Sequence, residues 1–240
     1  MRNLPIERNY PSISYILNNW PKTKHILRKY VLSNFKKPDL YDLTKICLKE
    51  LKIFKIKGCQ PVLKKLSKIC SSNVTSNTYH DQHHFKAVLV ISALLAMGVN
   101  LKNKDRLLLI VISLTHDMNH QGRRIINAIP YYQEERSFLD LQRIFFRKVL
   151  NFKEINRIRT IFKSTYFPIK PKNVKDDLEK IVLDADILTS LMFGPRAGVK
   201  LAGRLKHEIK YNDETEILFR NFLKLLGEKC LYLPFSKKLC

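Results

Sequence analysis

The alternation of apolar and polar positions predicts helices along most of the chain. Apolar residues return at helical spacing in SISYILNNW from Ser12, again after Pro21, and in DLYDLTKICLKELKIF. In the last of these Asp39 is placed to cap a helix, and Leu43, Ile46, Cys47 and Leu51 form one stripe. Residues 1–76 thus make an N-terminal helical layer. The polar stretch SSNVTSNT, residues 71–78, reads as a loop within one domain that supplies the cap of a helix opening near Tyr79. Two helices follow, over about 79–98 and 104–117, that are apolar nearly all round, the mark of central elements covered on every side. Helical spacing resumes in ERSFLDLQRIFFRKVL, KEINRIRTIFKSTYF and VKDDLEKIVLDADILTSLMF, separated by proline or polar linkers, which closes a central core at residues 77–190. RAGVKLAGRLKHEI and DETEILFRNFLKLLGEK add C-terminal helices within 191–240. No internal repeat or low-complexity tail interrupts the pattern.

Composition agrees with an all-α fold, a compact multi-helix bundle. A chain of 240 residues with 45% hydrophobic residues can bury one sizeable core, and 7 Gly with frequent Leu, Ile and Lys disfavour a turn-rich β protein. A single domain over 1–240 is expected. The five cysteines (Cys47, Cys59, Cys70, Cys230 and Cys240) include no C-x-x-C pair, so free thiols in a reducing compartment are expected. The N-terminal MRNLPIERNYPSISYIL is broken by charges and prolines and lacks the apolar core of a signal peptide. The longest apolar run, VLVISALLAMGV from Val88, is too short to span a bilayer. These features predict a soluble, cytoplasmic protein with no transmembrane segment; oligomeric state is not encoded in any of them.

Histidines change the picture. Five of the 7 in the chain, His80, His83, His84, His116 and His120, lie between residues 80 and 120 in an apolar setting, where imidazoles are costly without partners. A helix through this segment would put His80 and His84 one turn apart on the same face. His116 and Asp117 fall at the C-terminal end of a buried helix, where unpaired carbonyls and the helix dipole favour a cation. His84 can approach from the preceding helix and the aspartates of VLDADI, Asp184 and Asp186, from a later one. Both flank the apolar face of Leu178, Ile181, Val182 and Ala185 at similar angles, so periodicity does not choose between them. Such a mixed nitrogen and oxygen set suits Zn²⁺, Fe²⁺ or Mn²⁺, and a neighbouring position held mainly by Asp117 and water suits Mg²⁺ or Mn²⁺. His83 is expected to be a partnered core or rim imidazole, and His25 and His207 surface residues.

The motifs resemble those of a known group. A histidine, then H-D, then a distant aspartate is the ligand order of HD-domain metal-dependent phosphohydrolases. YHDQHH further resembles the YHNxxH of class I 3′,5′-cyclic nucleotide phosphodiesterases, and HDMNHQG their HDxxHxG. ERSFLD is similar to their xSVLE, and DADILTS to their xADLS, so the resemblance runs from about residue 77 to 190. It implies that His84, His116, Asp117 and Asp186 hold a first metal and that Asp117 bridges to a second. It makes His80 the proton donor to the leaving oxygen and sets His120 near the bridging water and phosphate. Tyr79 and Asp140 would lie at the substrate. The implied reaction is hydrolysis of a phosphoester, a cyclic nucleotide first among them, in a signalling role.

The departures bear on substrate. These phosphodiesterases hold the purine with a C-terminal glutamine, but this chain has none after Gln142. Asp81 stands for the asparagine of YHN, TDM becomes TYF at Thr165–Phe167, and the histidine pair after xSVLE is absent. An HD phosphohydrolase acting on another nucleotide, an alarmone or a nucleic-acid end is therefore the alternative. A third reading follows from charge: 44 Lys plus Arg against 21 Asp plus Glu give +23, which favours anionic partners such as nucleotides, nucleic acid or acidic lipid. The basic residues are spread along the chain and form no Arg-rich block, so nucleic-acid binding rests on charge alone, as would a non-catalytic binding module.

Overall fold

The computed structural model describes residues 11–32, 38–55, 58–72, 77–122, 129–145, 150–167, 173–227 and 231–240. Among them all regular structure is helical. The N-terminal layer consists of α1 (Ile13–Asn18), α2 (Lys24–Leu32), α3 (Leu40–Glu50) and α4 (Cys59–Ser71). Asp39 caps α3, accepting from the Asp42 N–H at 2.8 Å, and Leu43, Cys47 and Leu51 of the predicted stripe are buried, with Ile46 half-buried beside them. α4 buries Cys59, Leu63, Leu66 and Cys70 along one face. Its start is set by Gly58 at φ 80° rather than by a capping side chain, with Pro61 in the first turn, where an N–H has no helical partner.

Two helices form the centre: α5 (Gln82–Met97) and α6 (Asn103–Thr115). Every residue of α5 from His84 to Ala96 is buried, as is α6 from Leu107 to Thr115. Such helices cannot stand at a surface, and α5 accordingly packs against α1, α2, α3, α4 and α6, and against the later α9 (Asp177–Leu191). The link between α5 and α6 is short, so they run antiparallel, and the start of α5 meets the end of α6. A polar pair, Ser113 Oγ donating to Ser92 Oγ at 2.9 Å, lies between them inside the apolar interface.

The opening of α5 differs from the expectation. The helix does not begin near Tyr79, and the polar stretch does not cap it; residues 73–76 of that stretch, like Cys230 and residues 1–10, lie outside the described residues. Asp81 is the cap, its Oδ1 accepting from the His83 N–H at 2.8 Å and the His84 N–H at 3.2 Å. His80 therefore precedes the helix, and the one-turn relation between His80 and His84 does not hold. An aspartate immediately before the first turn satisfies two otherwise unpaired donors, which stops the helix from extending backwards.

Around the centre lie α7 (Tyr132–Phe145), α8 (Phe152–Ser164), α10 (Pro195–Ile209), α11 (Thr215–Leu226) and α12 (Pro234–Leu239). α7 leans on the turn after α6: Ser137 Oγ donates to the Met118 carbonyl at 2.9 Å. α10 packs between α9 and α11. This contact requires Gly198, because a Cβ there would lie 2.3 Å from the Phe219 ring and 2.9 Å from the Ser190 carbonyl oxygen. No helix among the described residues is long and apolar enough to cross a membrane. His25 and His207 are exposed.

Candidate metal centre

Four side chains converge where α5 begins and α6 ends. His84 Nε2 lies 3.3 Å from His116 Nε2, 3.1 Å from Asp117 Oδ2 and 3.4 Å from Asp186 Oδ1. His116 Nε2 is 3.1 Å from the same Asp117 oxygen and 4.0 Å from the Asp186 oxygen. A single imidazole nitrogen donates or accepts one hydrogen bond, so His84 Nε2 cannot satisfy three such neighbours at once. A cation among them can. Ligand bonds of about 2.0–2.2 Å place neighbouring donor atoms roughly 3.0–3.5 Å apart, close to the separations found. The donor set thus fits a divalent metal, with His84, His116 and Asp186 forming a group able to hold one.

α9 separates the two aspartates that periodicity left equivalent. Asp184 is fully buried and accepts from the backbone N–H groups of Tyr232 and Leu233, both at 2.8 Å. It ties the C-terminal segment to the core and points away from the histidines. Asp186, two residues on, points to them.

A second group lies beside the first. The rings of His80 and His120 stack with centroids 3.7 Å apart at 20°. His80 Nδ1 is 2.5 Å from Glu208 Oε1, while Glu208 Oε2 accepts the backbone N–H of Tyr79 at 2.8 Å and of His80 at 3.0 Å. The Gly122 N–H donates to His120 Nδ1 at 3.0 Å, which makes that nitrogen an acceptor and leaves its 3.5 Å approach to Glu208 a contact only. With these lone pairs engaged, the group is better suited to hold protons than a metal. His80 Nε2 remains directed at the first group, 3.9 Å from Asp117 Oδ2.

Charges drive the two stacked imidazoles apart. Burial alone would lower the His80 pKa, but the Asp117 and Glu208 carboxylates turn the shift upward. Burial, together with the charge on His80, pushes His120 down to about 3. Of the stacked pair, His80 is thus favoured over His120 to hold a proton, the division expected of an acid and its unprotonated neighbour. Burial works against ionisation of Asp117 and Glu208 too, yet the histidines facing them prevail: Asp117 is held well below the usual carboxylate range and Glu208 falls to about 2.

The remaining predicted residues are in the same region. The Tyr79 ring lies 4.9 Å from His80 and 5.2 Å from His84, and its hydroxyl is 3.1 Å from Ser190 Oγ. Asp140 accepts from Asn119 Nδ2 at 2.7 Å and from Arg143 at 3.1 Å. His83 bonds Asp81 Oδ2 through Nδ1 at 3.0 Å, the partnered rim position expected of it. Glu208 was not legible as part of the site. The available signal is its register on α10, eleven residues after Ala197 and seven after Leu201, both on the buried face, where a glutamate amid cationic neighbours is out of place.

No family model and no curated protein sequence matches the chain. Its structure is similar to that of the phosphodiesterase domain of the RhoPDE fusion protein from the choanoflagellate Salpingoeca rosetta, with a TM-score of 0.54 and 18% sequence identity. The similarity covers 89% of this chain and 81% of that one. At that identity the likeness establishes architecture: an all-helical fold of the phosphodiesterase-domain kind.

Proposed function

We propose that residues 1–240 act as one metal-dependent phosphoesterase domain, most directly a phosphodiesterase converting a 3′,5′-cyclic nucleotide to its 5′-monophosphate. The observation that carries this reading is the pairing of two features in one space: a donor set fitting a divalent cation, and the His80 imidazole with its Nε2 3.9 Å from the Asp117 carboxylate and its Nδ1 on Glu208. His84, His116, Asp117 and Asp186 would hold a first ion of the Zn²⁺, Fe²⁺ or Mn²⁺ type, and Asp117 would also serve a second, Mg²⁺ or Mn²⁺. Ions held there would supply charge to neutralise a phosphodiester and would lower the pKa of a bound water. His80, aligned by Glu208, delivers its proton from Nε2 to the departing oxygen. His120, kept neutral, flanks the same space as a hydrogen-bond partner for water or phosphate. Tyr79 and Asp140 border it and contact substrate or its hydration shell. The absence of a glutamine after Gln142 favours a base other than the purine that such a residue clamps, or another phosphoester of the nucleotide class, including an alarmone or a nucleic-acid end.

The test is a hydrolysis screen of the purified chain with Mn²⁺ or Mg²⁺. Substrates are purine and pyrimidine cyclic nucleotides, mononucleotides, an alarmone, an oligonucleotide and bis(p-nitrophenyl) phosphate, with Asp117→Ala as the control. Hydrolysis of a cyclic nucleotide that Asp117→Ala abolishes supports the reading. Failure on every phosphoester, together with salt-sensitive nucleic-acid binding indifferent to Asp117→Ala, would replace it with a basic binding module.

A further inference from the structure

The outer face of α7 carries a pattern that its packing does not need. The inner face buries Gln133, Ser137, Phe138 and Leu141. On the opposite side Tyr132, Arg136, Leu139 and Arg143 recur at helical spacing, so that an apolar or aromatic side chain alternates with an arginine along one stripe. Tyr132 is 39% exposed, Leu139 45%, and the Arg143 side chain 75%. Together with the turn that precedes α7, this stripe walls an open groove of about 480 Å³.

The turn is shaped by its backbone. The Tyr132 N–H donates to the Ile129 carbonyl at 3.2 Å, with Pro130 inside the loop and Tyr131 at φ 64°, a region where glycine is favoured. The Tyr131 ring is held against Tyr166, centroids 4.8 Å apart, which leaves Tyr132 to face solvent. The carboxylates lining the groove are already engaged. Glu135 lies 2.9 Å from Arg159 and 2.7 Å from Lys163, and Asp140 accepts from Asn119 and Arg143. Arg136, Arg143, Arg159 and Lys163 thus outnumber two acids, and the groove and its rim are net positive. Asn119 lies two residues after Asp117, so the groove opens beside the turn that carries this aspartate.

We propose that this groove binds single-stranded nucleic acid, with a base stacked on Tyr132 and backbone phosphates on Arg136 and Arg143. An exposed aromatic ring in register with arginines suits an unpaired strand, in which every base offers a face for stacking and a phosphate follows each base. From Tyr132 to Arg143 the stripe runs about 16 Å along the helix axis, long enough to engage consecutive phosphates. A duplex keeps its base faces stacked on one another and would offer Tyr132 no face. The net charge of +23 adds a general attraction for the strand, and the groove gives that attraction a place. None of the lining residues is among the four metal donors, so the site does not depend on what the centre hydrolyses.

The experiment is fluorescence anisotropy of a short fluorescein-labelled oligothymidylate titrated with the full chain in EDTA, which prevents metal-dependent cleavage, over a series of salt concentrations. Tyr132→Ala should weaken binding roughly 5–100-fold, the loss typical of one stacked base, and Tyr132→Phe should restore it. Arg136→Ala/Arg143→Ala should reduce the slope of log affinity against log salt by about 1.4, the value for two single-strand phosphate contacts. Lys64→Ala/Lys65→Ala, which removes the same charge from the exposed side of α4, should change neither quantity by as much. Circular dichroism identifies any variant that has lost its helices. Equal losses in the two double variants would overturn the proposal in favour of diffuse charge. Binding that Tyr132→Ala leaves unchanged, or that an annealed duplex matches, would overturn it in favour of a general polyanion site. Each result leaves the hydrolytic reading to its own test.

Discussion

Replacement of Glu208 by Gln isolates the positioning of the proton donor. Gln keeps an oxygen able to accept the Tyr79 and His80 N–H groups, at 2.8 and 3.0 Å in the native chain, so the backbone before α5 should hold its place. What is lost is the charge 2.5 Å from His80 Nδ1. A hydrogen bond to a charged group contributes about 1.5–3 kcal/mol, which at about 1.4 kcal/mol per pKa unit lowers the His80 pKa by roughly one to two units. Cations held by Asp117 would offset its support of the imidazolium, which would leave Glu208 as the principal counter-charge. The alkaline limb of kcat against pH should therefore move down by roughly one to two units. Above the native pKa, kcat on an alkyl phosphodiester should fall roughly 10–100-fold, below the full loss of about 10²–10⁴ expected for His80→Ala. An aryl diester such as bis(p-nitrophenyl) phosphate, whose phenolate departs without a proton, should be little affected. Circular dichroism and metal content should match wild type. A pH profile on the alkyl ester that superimposes on wild type would refute the Glu208–His80 relay.

Asp186→Ala should remove bound metal while the helical fold persists. Asp184→Ala should keep metal affinity but lower stability by about 2–4 kcal/mol, because two N–H groups at Tyr232 and Leu233 lose their acceptor; denaturant melts with elemental analysis distinguish the two outcomes. Gly198→Ala drives a methyl group into Phe219 and the Ser190 carbonyl, and should cost about 1–3 kcal/mol, read as a lowered Tm. Its displacement of α10 should also shift the His80 pH profile more than it changes metal binding. In the metal-free protein Glu208 titrates near 2 against an unfolded value of about 4.3, so its stabilisation is present above that unfolded value and drains away as pH falls towards 2. Urea midpoints over that window should fall more steeply for wild type than for Glu208→Gln, and equal slopes would refute the linkage.

Much of the centre is local and was therefore legible. α5 and α6 are apolar on all faces, which fixes them as central before any contact is known, and two such helices on a short link must bring His84 and His116 together. His116–Asp117 at a helix end follows from the same pattern. The charge of +23 and the missing glutamine after Gln142 are likewise properties of sequence alone. Other features depended on elements distant along the chain. The start of α5 turned on whether Asp81 or an earlier residue would satisfy its first N–H groups, a competition between neighbours of similar capping strength. Asp184 and Asp186 occupy similar angles on one helix, and the backbone of residues 232–233, 48 and 49 positions beyond Asp184, decided which was structural. Glu208 meets His80 across 128 residues. Periodicity states which face of a helix is buried; it does not state what that face is buried against. The sequence alone therefore determined the helices and the histidine–aspartate pairing at their ends, whereas tertiary packing decided which carboxylates reach the histidines and which imidazole keeps the proton, because those depend on charges meeting across the fold.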